Sequence, residues 1–405
     1  MTKACLVALQ TRQTDWQIQE SLEELAELAT DAGLEVIDTF IQKRDRPAPG
    51  TFIGKGKAIE IGKLLEEDSI VIFDDELTPA QQGNLSDLMD APVLDRTQLI
   101  LDIFASRAQS AEGKLQVELA QLKYLLPRLV GHGQALSRLG GGIGTRGPGE
   151  TKLETDRRRI RGRIADLENE LEKIEKVRAI HRTGRRRQAT PLVSLVGYTN
   201  AGKSSLLARL TGEKVYVADQ LFATLDPTIR RWELKDNNWV YLTDTVGFIR
   251  RLPHTLIAAF RATLEEVLQA DLLLHIIDAS HPQMAEQKEA VEKVLQEIGA
   301  TQDIICVYNK IDKVAEPVVV TKDSVGVSAL TGQNLDLLAE VVFEYFNRKS
   351  SVRQYLFPFD QLAKASFLRE KAEVTNEEYT QDGVVLTVRV NPEIAKYLIN
   401  WEIIR

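Results

Sequence analysis

The stretch LVSLVGYTNAGKSSLL (192–207) constrains the fold more than any other, because it sets GxxxxGKS, Gly197 to Ser204, between an apolar run and a helical one. A loop of this spacing works between a strand and a helix, where its backbone N–H groups and the helix N-terminus converge on phosphate oxygens. Gly197, Tyr198, Thr199, Asn200, Ala201 and Gly202 supply the cradle, Lys203 reaches the β and γ oxygens, and Ser204 offers its hydroxyl to Mg²⁺. The segment from Leu192 to about Arg348 is thereby committed to an α/β domain, with further strands in WVYLTDT, DLLLHIIDAS, DIICVYNK and SVGVSA.

The remaining parts of a guanine-nucleotide switch follow in order, each at a strand end. In DTVG (Asp244, Thr245, Val246, Gly247), Asp244 can hold Mg²⁺ through water and the Gly247 amide can sense a γ-phosphate. In NKID (Asn309, Lys310, Ile311, Asp312), the Asp312 carboxylate can accept both N1–H and the 2-amino group of guanine, donors that adenine lacks, which makes the site GTP-selective. SAL (Ser328, Ala329, Leu330) stands where it can close over the base. LFATLDPTIR takes the place of the first switch, with Phe222, Ala223, Thr224, Leu225 and Asp226 against the nucleotide. A threonine there must give its hydroxyl to Mg²⁺ and its backbone to the γ-phosphate; Thr224 is preferred to Thr228 because its F-x-T-L setting resembles that of Obg-type GTPases. Catalysis therefore falls to Lys203, Thr224 and Gly247, and the metal to Ser204 and Thr224.

Two positions bear on rate. Phe248 follows DTVG where Ras-like enzymes carry the glutamine that orients the attacking water, and a phenyl ring cannot orient water. Hydrolysis is expected to be slow alone and stimulated by a partner, an effect on the order of 10³ to 10⁵ when supplied in trans. Asn200 either helps to bind K⁺ beside the phosphates or stiffens the loop by local hydrogen bonding.

The 405 residues exceed one compact core and imply two to four domains. From Lys3 to about Asp95, ACLVALQ, LEVIDTFI, SIVIFDD and PVLD alternate with helical stretches, which predicts a small parallel α/β domain. Leu115, Leu119, Leu122 and Leu126 then form one helical stripe, and Ile160, Ile164, Leu167, Leu171 and Ile174 another, which predicts an antiparallel hairpin. Between them LGGGIGTRGPG (139–149) is not a phosphate loop, since Glu150 stands where the lysine must be. Its glycines admit close backbone approach, and Arg138, Arg146 and Lys152 punctuate it, so it reads as an RNA-probing loop, with a passive connector as the alternative. HRTGRRRQATP (181–191) reads as a linker, and the tail from Ser351 as a small α+β domain. GKGKAIEIGK (54–63) opens a helix that could contact RNA, bind a second nucleotide, or simply start a helix.

Charge is unevenly placed. Residues 107–190 carry 19 Lys and Arg against 10 Asp and Glu, a net of +9 in a chain of net −8, which leaves −17 for the rest. Arg157, Arg158 and Arg159 head five arginines in RRRIRGR, candidates for RNA contact; the alternative is a solvated helix face paired with the acids that follow. No run approaches the roughly 18 to 20 apolar residues of a membrane span and the N-terminus lacks a signal-peptide pattern, so a cytoplasmic protein is expected. Cys5 and Cys306, each within an apolar run, are expected as buried thiols.

GYTNAGKSSLL, LFATLDPTIR and DTVGFIRRLPHTLIAAFRATLEE, with QVELAQLKYLLPRL and GGIGTRGPGETKLETDRRRI upstream, resemble the HflX family of ribosome-associated GTPases over roughly residues 1–350. The resemblance implies GTP and GDP binding with Mg²⁺, association with the large (50S) ribosomal subunit and its rRNA, and the dissociation or rescue of stalled ribosomes under stress. A GTP-dependent assembly timer for the same subunit is the alternative. The resemblance also implies an α/β N-terminal domain (1–105) and a helical hairpin with a Gly/Arg-rich loop (106–185) ahead of a Ras-like P-loop GTPase domain (190–349); the order of elements in the tail gives a small α+β C-terminal domain (350–405). A monomer is expected.

Overall fold

The structure, a computed structural model, describes residues 2–129, 148–187, 190–212, 222, 229–235, 238–245, 247–249, 267–314, 321, 323–390 and 392–403. The chain separates into two compact units, one built mainly from Met1–Ile174, the other from Glu175–Val217, Pro227–Phe248 and Leu264–Arg405.

The first unit alternates β1 (Thr2–Gln10), α1 (Asp15–Asp31), β2 (Leu34–Lys43), α2 (Lys55–Leu64), β3 (Ile70–Phe73), α3 (Pro79–Met89), β4 (Val93–Asp95) and α4 (Arg96–Arg107). All strand pairs are parallel, in the order β2-β1-β3-β4. β1 is buried from Ala4 to Gln10, as a parallel strand covered on both faces must be. Local chemistry sets the helix starts. Thr78 and Gln81 form a reciprocal capping box with Pro79 at the first helical position, and Asp95 accepts from the Gln98 amide at 2.9 Å. At the strand ends a buried ionic cluster forms: Asp74 accepts from Ser21 Oγ at 2.7 Å and from Arg96 at 2.5 Å, and Arg96 also pairs with Glu24.

Two long helices follow, α5 (Ala111–Arg128) and α6 (Pro148–Arg187). Arg128 fastens α5 to the sheet edge by donating to Leu77 O (2.7 Å), Gln82 Oε1 (3.0 Å) and Asp95 (3.2 Å) while lying over the Tyr124 ring. Glu118 of α5 receives both arms of Arg163 of α6 at 2.7 and 2.8 Å, and Lys123 pairs with Glu168. Leu119 and Leu167, one from each predicted stripe, are both buried.

Two expectations need correction. The stretch 181–187, read as a linker, is the last part of α6; arginine is a good helix former, and Pro191, which stops helices, comes only later. Pro148 and Gly149 belong to the first turn of α6, where the fixed φ of proline suits the opening position. The remaining residues of LGGGIGTRGPG, with Arg138 and Arg146, lie outside the described residues.

The second unit holds β5 (Leu192–Gly197), α7 (Lys203–Thr211), β6 (Ile229–Glu233), β7 (Trp239–Asp244), β8 (Leu272–Asp278), α8 (Met284–Glu297), β9 (Ile304–Asn309), β10 (Ser324–Gly326) and α9 (Leu335–Lys349). Its sheet runs β10-β9-β8-β5-β7-β6, parallel throughout except for the edge strand β6. β8 is buried along its whole length and anchors a core of Val193, Leu195, Leu206, Leu242, Leu274, Ile276, Val307 and Leu338. β11 (Ser351–Phe357), α10 (Leu362–Lys371), β12 (Glu373–Thr380), β13 (Gly383–Val390) and α11 (Pro392–Tyr397) make an antiparallel sheet, β11-β13-β12, with its own core around Tyr355, Phe357, Leu386 and Val388. Cys5 is buried and Cys306 partly exposed, and both are free thiols.

Candidate functional site

The predicted nucleotide residues that the structure describes gather at the carboxyl ends of β5, β7, β9 and β10, where ligands of open parallel sheets bind. β5 ends at Gly197, the loop 198–202 turns, and Lys203 opens α7. Gly202 adopts φ +92°, and a Cβ there would lie 2.3 Å from Asn309 Nδ2, so both conformation and space demand glycine. Tyr198, Thr199, Ala201 and Lys203 are buried, whereas Asn200 faces outward with φ +59°.

Lys203 donates to Gly197 O at 3.1 Å and Tyr198 O at 2.8 Å. Burial disfavours its ammonium and draws its pKa down to about 8, opposed by Asp244. Ser204 Oγ donates to Asp244 Oδ2 at 2.7 Å, and Asp244 Oδ1 accepts from the Thr245 amide at 2.9 Å. Thr245 Oγ1 donates to Leu195 O at 2.6 Å, which fixes the start of the DTVG turn to the central strand. Gly247 packs so closely on the loop that a Cβ would meet Thr199 Cγ2 at 2.8 Å and Lys203 Nζ at 3.0 Å.

The side formed by NKID and SAL is equally tied together. Asn309 donates from Nδ2 to Ala201 O at 2.9 Å and accepts at Oδ1 from the Ala329 amide at 3.0 Å, so it braces the phosphate loop against SAL. Lys310, at φ +62°, pairs with Asp278 at 2.7 Å. Burial alone would raise the Asp278 carboxyl, but hydrogen bonds from Lys310 and Ser280 hold it below the ordinary carboxylate range. Ser328 Oγ donates to Asp312 Oδ1 at 2.5 Å and so orients the carboxylate, which is exposed; Leu330 is 77% exposed beyond it. Ile311 sets its amide on Val327 O.

Ala223, Thr224, Leu225, Asp226, Thr228 and Val246 lie outside the described residues. Phe222 is buried with its ring edge-on to Phe104 in the first unit. On α6, Arg158, Arg159 and Arg161 are exposed and Arg157 is partly buried. Sequence reasoning missed Asp278, whose signal is the one carboxylate closing the apolar run LLLHIID, and missed the bracing role of Asn309, which depends on distances across the sheet. Among the described residues there is no cluster of three or more His, Cys, Asp and Glu fit to hold a metal, and no helix long and apolar enough to cross a membrane.

Family models match three consecutive stretches: a GTP-binding GTPase N-terminal region over residues 19–105, a GTP-binding GTPase middle region over 107–185, and a 50S ribosome-binding GTPase domain over 192–310. The GTPase HflX of Caldanaerobacter subterraneus subsp. tengcongensis is 49% identical over 402 residues, covering 98% of this chain and 93% of the relative. The chain belongs to the HflX family of GTPases. The HflX of Escherichia coli K12 is 46% identical, covering 92% of this chain and 90% of its own length. A solved GTP-binding protein of Sulfolobus solfataricus in complex with GDP is 28% identical, covers 85% of this chain and 98% of that one, and has a TM-score of 0.44. As an HflX GTPase the chain binds guanine nucleotide at its P-loop domain and hydrolyses GTP.

Proposed function

We propose that this HflX GTPase is a ribosome-directed switch that, loaded with GTP, binds the large (50S) subunit through its rRNA and separates or rescues stalled ribosomes under stress. The observation that carries this reading is the exposed row Arg158, Arg159 and Arg161 on α6, in a chain whose guanine-nucleotide residues are mutually braced and whose P-loop domain matches a 50S ribosome-binding family. Arg138 and Arg146 are assigned to the same contact, and the work is assigned to a cytoplasmic monomer. The four-segment division at 1–105, 106–185, 190–349 and 350–405 is part of the same reading.

Within the nucleotide site, Lys203 takes the β and γ oxygens, the Gly247 amide senses the γ-phosphate, and Asp312 selects guanine. Ser204 Oγ and Asp244 Oδ2 form a hard-oxygen donor pair of the kind Mg²⁺ prefers, so Ser204 would hold the ion directly, Asp244 through water, and Thr224 from the first switch. Bound there, the ion neutralises charge developing between the β- and γ-phosphates. Asn200 faces outward at the loop's edge and is assigned to K⁺, an assignment that equal turnover in KCl and NaCl would remove.

The test is sedimentation through sucrose of the protein locked with a non-hydrolysable GTP analogue, with light scattering of intact ribosomes alongside. Co-sedimentation with large subunits and loss of scattering are expected. Failure to sediment overturns ribosome action altogether, and sedimentation without loss of scattering leaves an assembly timer.

A further inference from the structure

Phe248 stands where a water-orienting side chain is expected, yet its ring is only 2% exposed and its backbone is engaged with the phosphate loop. Phe248 O accepts from Thr199 N at 2.7 Å, and Phe248 N donates to Gly197 O at 3.1 Å. This two-bond bridge fixes Gly247 against Thr199, whose Cγ2 and Cα would lie 2.8 and 2.9 Å from a Gly247 Cβ. Thr199 is itself 6% exposed, and its Oγ1 is buried with no hydrogen-bond partner among the described residues. A buried hydroxyl without a partner is destabilising, and a valine would fill the same volume without that penalty. The hydroxyl therefore has no visible part in holding the loop together.

We propose that Thr199 Oγ1 is the chain's own water-positioning group in GTP hydrolysis. The deduction rests on the assignment of Lys203 and Gly247 to the γ-phosphate. Thr199 and Lys203 both lie against Gly247, and Thr199 also carries the backbone bridge to Phe248. A rotation of about 120° around χ1 moves the methyl into the well of the Cβ hydrogen and carries the hydroxyl into the staggered well that the methyl now occupies, on the side where Gly247 meets it. There it accepts a hydrogen bond from the water that attacks. The water oxygen forms a bond to the γ-phosphorus, the bond to the β,γ-bridging oxygen breaks with its electron pair retained by GDP, and the proton of the water passes to the released phosphate. Thr199 neither gains nor loses a proton. It is a positioning residue, a role in which slight misplacement of the nucleophile costs up to about 100-fold in rate.

The experiment compares wild type, Thr199→Val and Thr199→Ser in single-turnover GTP hydrolysis, in equilibrium binding of GDP and of a non-hydrolysable GTP analogue, and in thermal melting without nucleotide. Thr199→Val is expected to slow hydrolysis about 10- to 100-fold, to bind both nucleotides within about twofold of wild type because the loop amides are untouched, and to melt no lower. Thr199→Ser, which keeps the hydroxyl, is expected to recover most of the rate. Wild-type hydrolysis by Thr199→Val, or an equal loss in Thr199→Ser, overturns the proposal. So does a loss of binding or of melting temperature that parallels the loss of rate, since the residue would then be shaping the loop. Failure of the underlying assignment is seen separately, as tight nucleotide binding by Lys203→Met.

Discussion

Lys203, the lysine proposed to bind phosphate, shows how a residue can be recognisable in sequence while its energetic state is not. The GxxxxGKS spacing identifies the residue, but only the structure shows its ammonium buried, donating to Gly197 O and Tyr198 O, with a pKa near 8. An ammonium held in a dry site by two neutral carbonyls contributes little to folding, whereas a phosphate gives it a full opposite charge. Lys203→Met is therefore expected to leave the melting temperature of the nucleotide-free protein unchanged or raised, while weakening GDP binding by about 30-fold or more, the cost of removing one partner of a buried charge pair. Calorimetric melting and titration with GDP check the two halves, and parallel losses in both would contradict the argument. Asp312 makes the complementary case. Its carboxylate is exposed and oriented by the Ser328 hydroxyl, so Asp312→Asn should preserve the fold and shift preference from GTP toward xanthosine triphosphate, read as the ratio of the two affinities; an unchanged ratio would remove Asp312 from the base contact. The motif letters were thus legible because each is a chemical demand at a strand end. Asn309 as a brace, and the unpartnered hydroxyl of Thr199, were not, since both depend on how close separate strands and loops come.

At the level of elements, alternation of apolar runs with helical stretches gave the strands of both sheets, because parallel strands buried on both faces must be apolar along their length. The boundary of α6 was misread because an arginine-rich, polar segment resembles a linker in composition while favouring a helix in propensity. β8 carries a further consequence that periodicity does not show. His275 lies in the middle of this fully buried strand, between Val196 of β5 and Cys306 of β9, and burial draws its pKa down to about 4, with Glu292 opposing and Lys288 and Lys203 assisting. The native state therefore refuses a proton that the unfolded chain accepts below the ordinary histidine value of about 6.5. Stability is unaffected above that pH, declines by about 1.4 kcal/mol per pH unit as pH falls toward 4, and levels off below it, a total of about 3 kcal/mol. Urea unfolding followed from pH 7 to pH 4.5 should show this decline, and His275→Leu should flatten it; an identical slope in the variant would show that other groups govern the acid limb.

For the molecule as a whole, the sign of its net charge argues against the proposed partner and its distribution argues for it. A chain of net −8 should be repelled by a ribosome, but residues 107–190 carry +9 and the remainder −17. Binding to rRNA then requires that the basic segment meet the phosphates while the acidic remainder stays in solvent, and association should weaken as salt rises because each neutralised phosphate releases counterions. Were the net charge in control, salt would screen repulsion and strengthen association instead. Arg158, Arg159 and Arg161 are exposed on α6, whereas Arg163 is held by Glu118 in a bidentate pair and is less free to turn toward another anion. Changing Arg158, Arg159 and Arg161 together to glutamine should leave GTP hydrolysis by the isolated protein unaltered, lower the affinity for large subunits, and reduce the slope of log affinity against log salt by about 2, near 0.7 per lost contact. Sedimentation of the analogue-locked protein with large subunits over a series of KCl concentrations measures that slope. A lowered affinity with an unchanged slope would mean that the arginines support the helix rather than touch phosphate, and an unchanged affinity would move the contact off this face of α6 altogether.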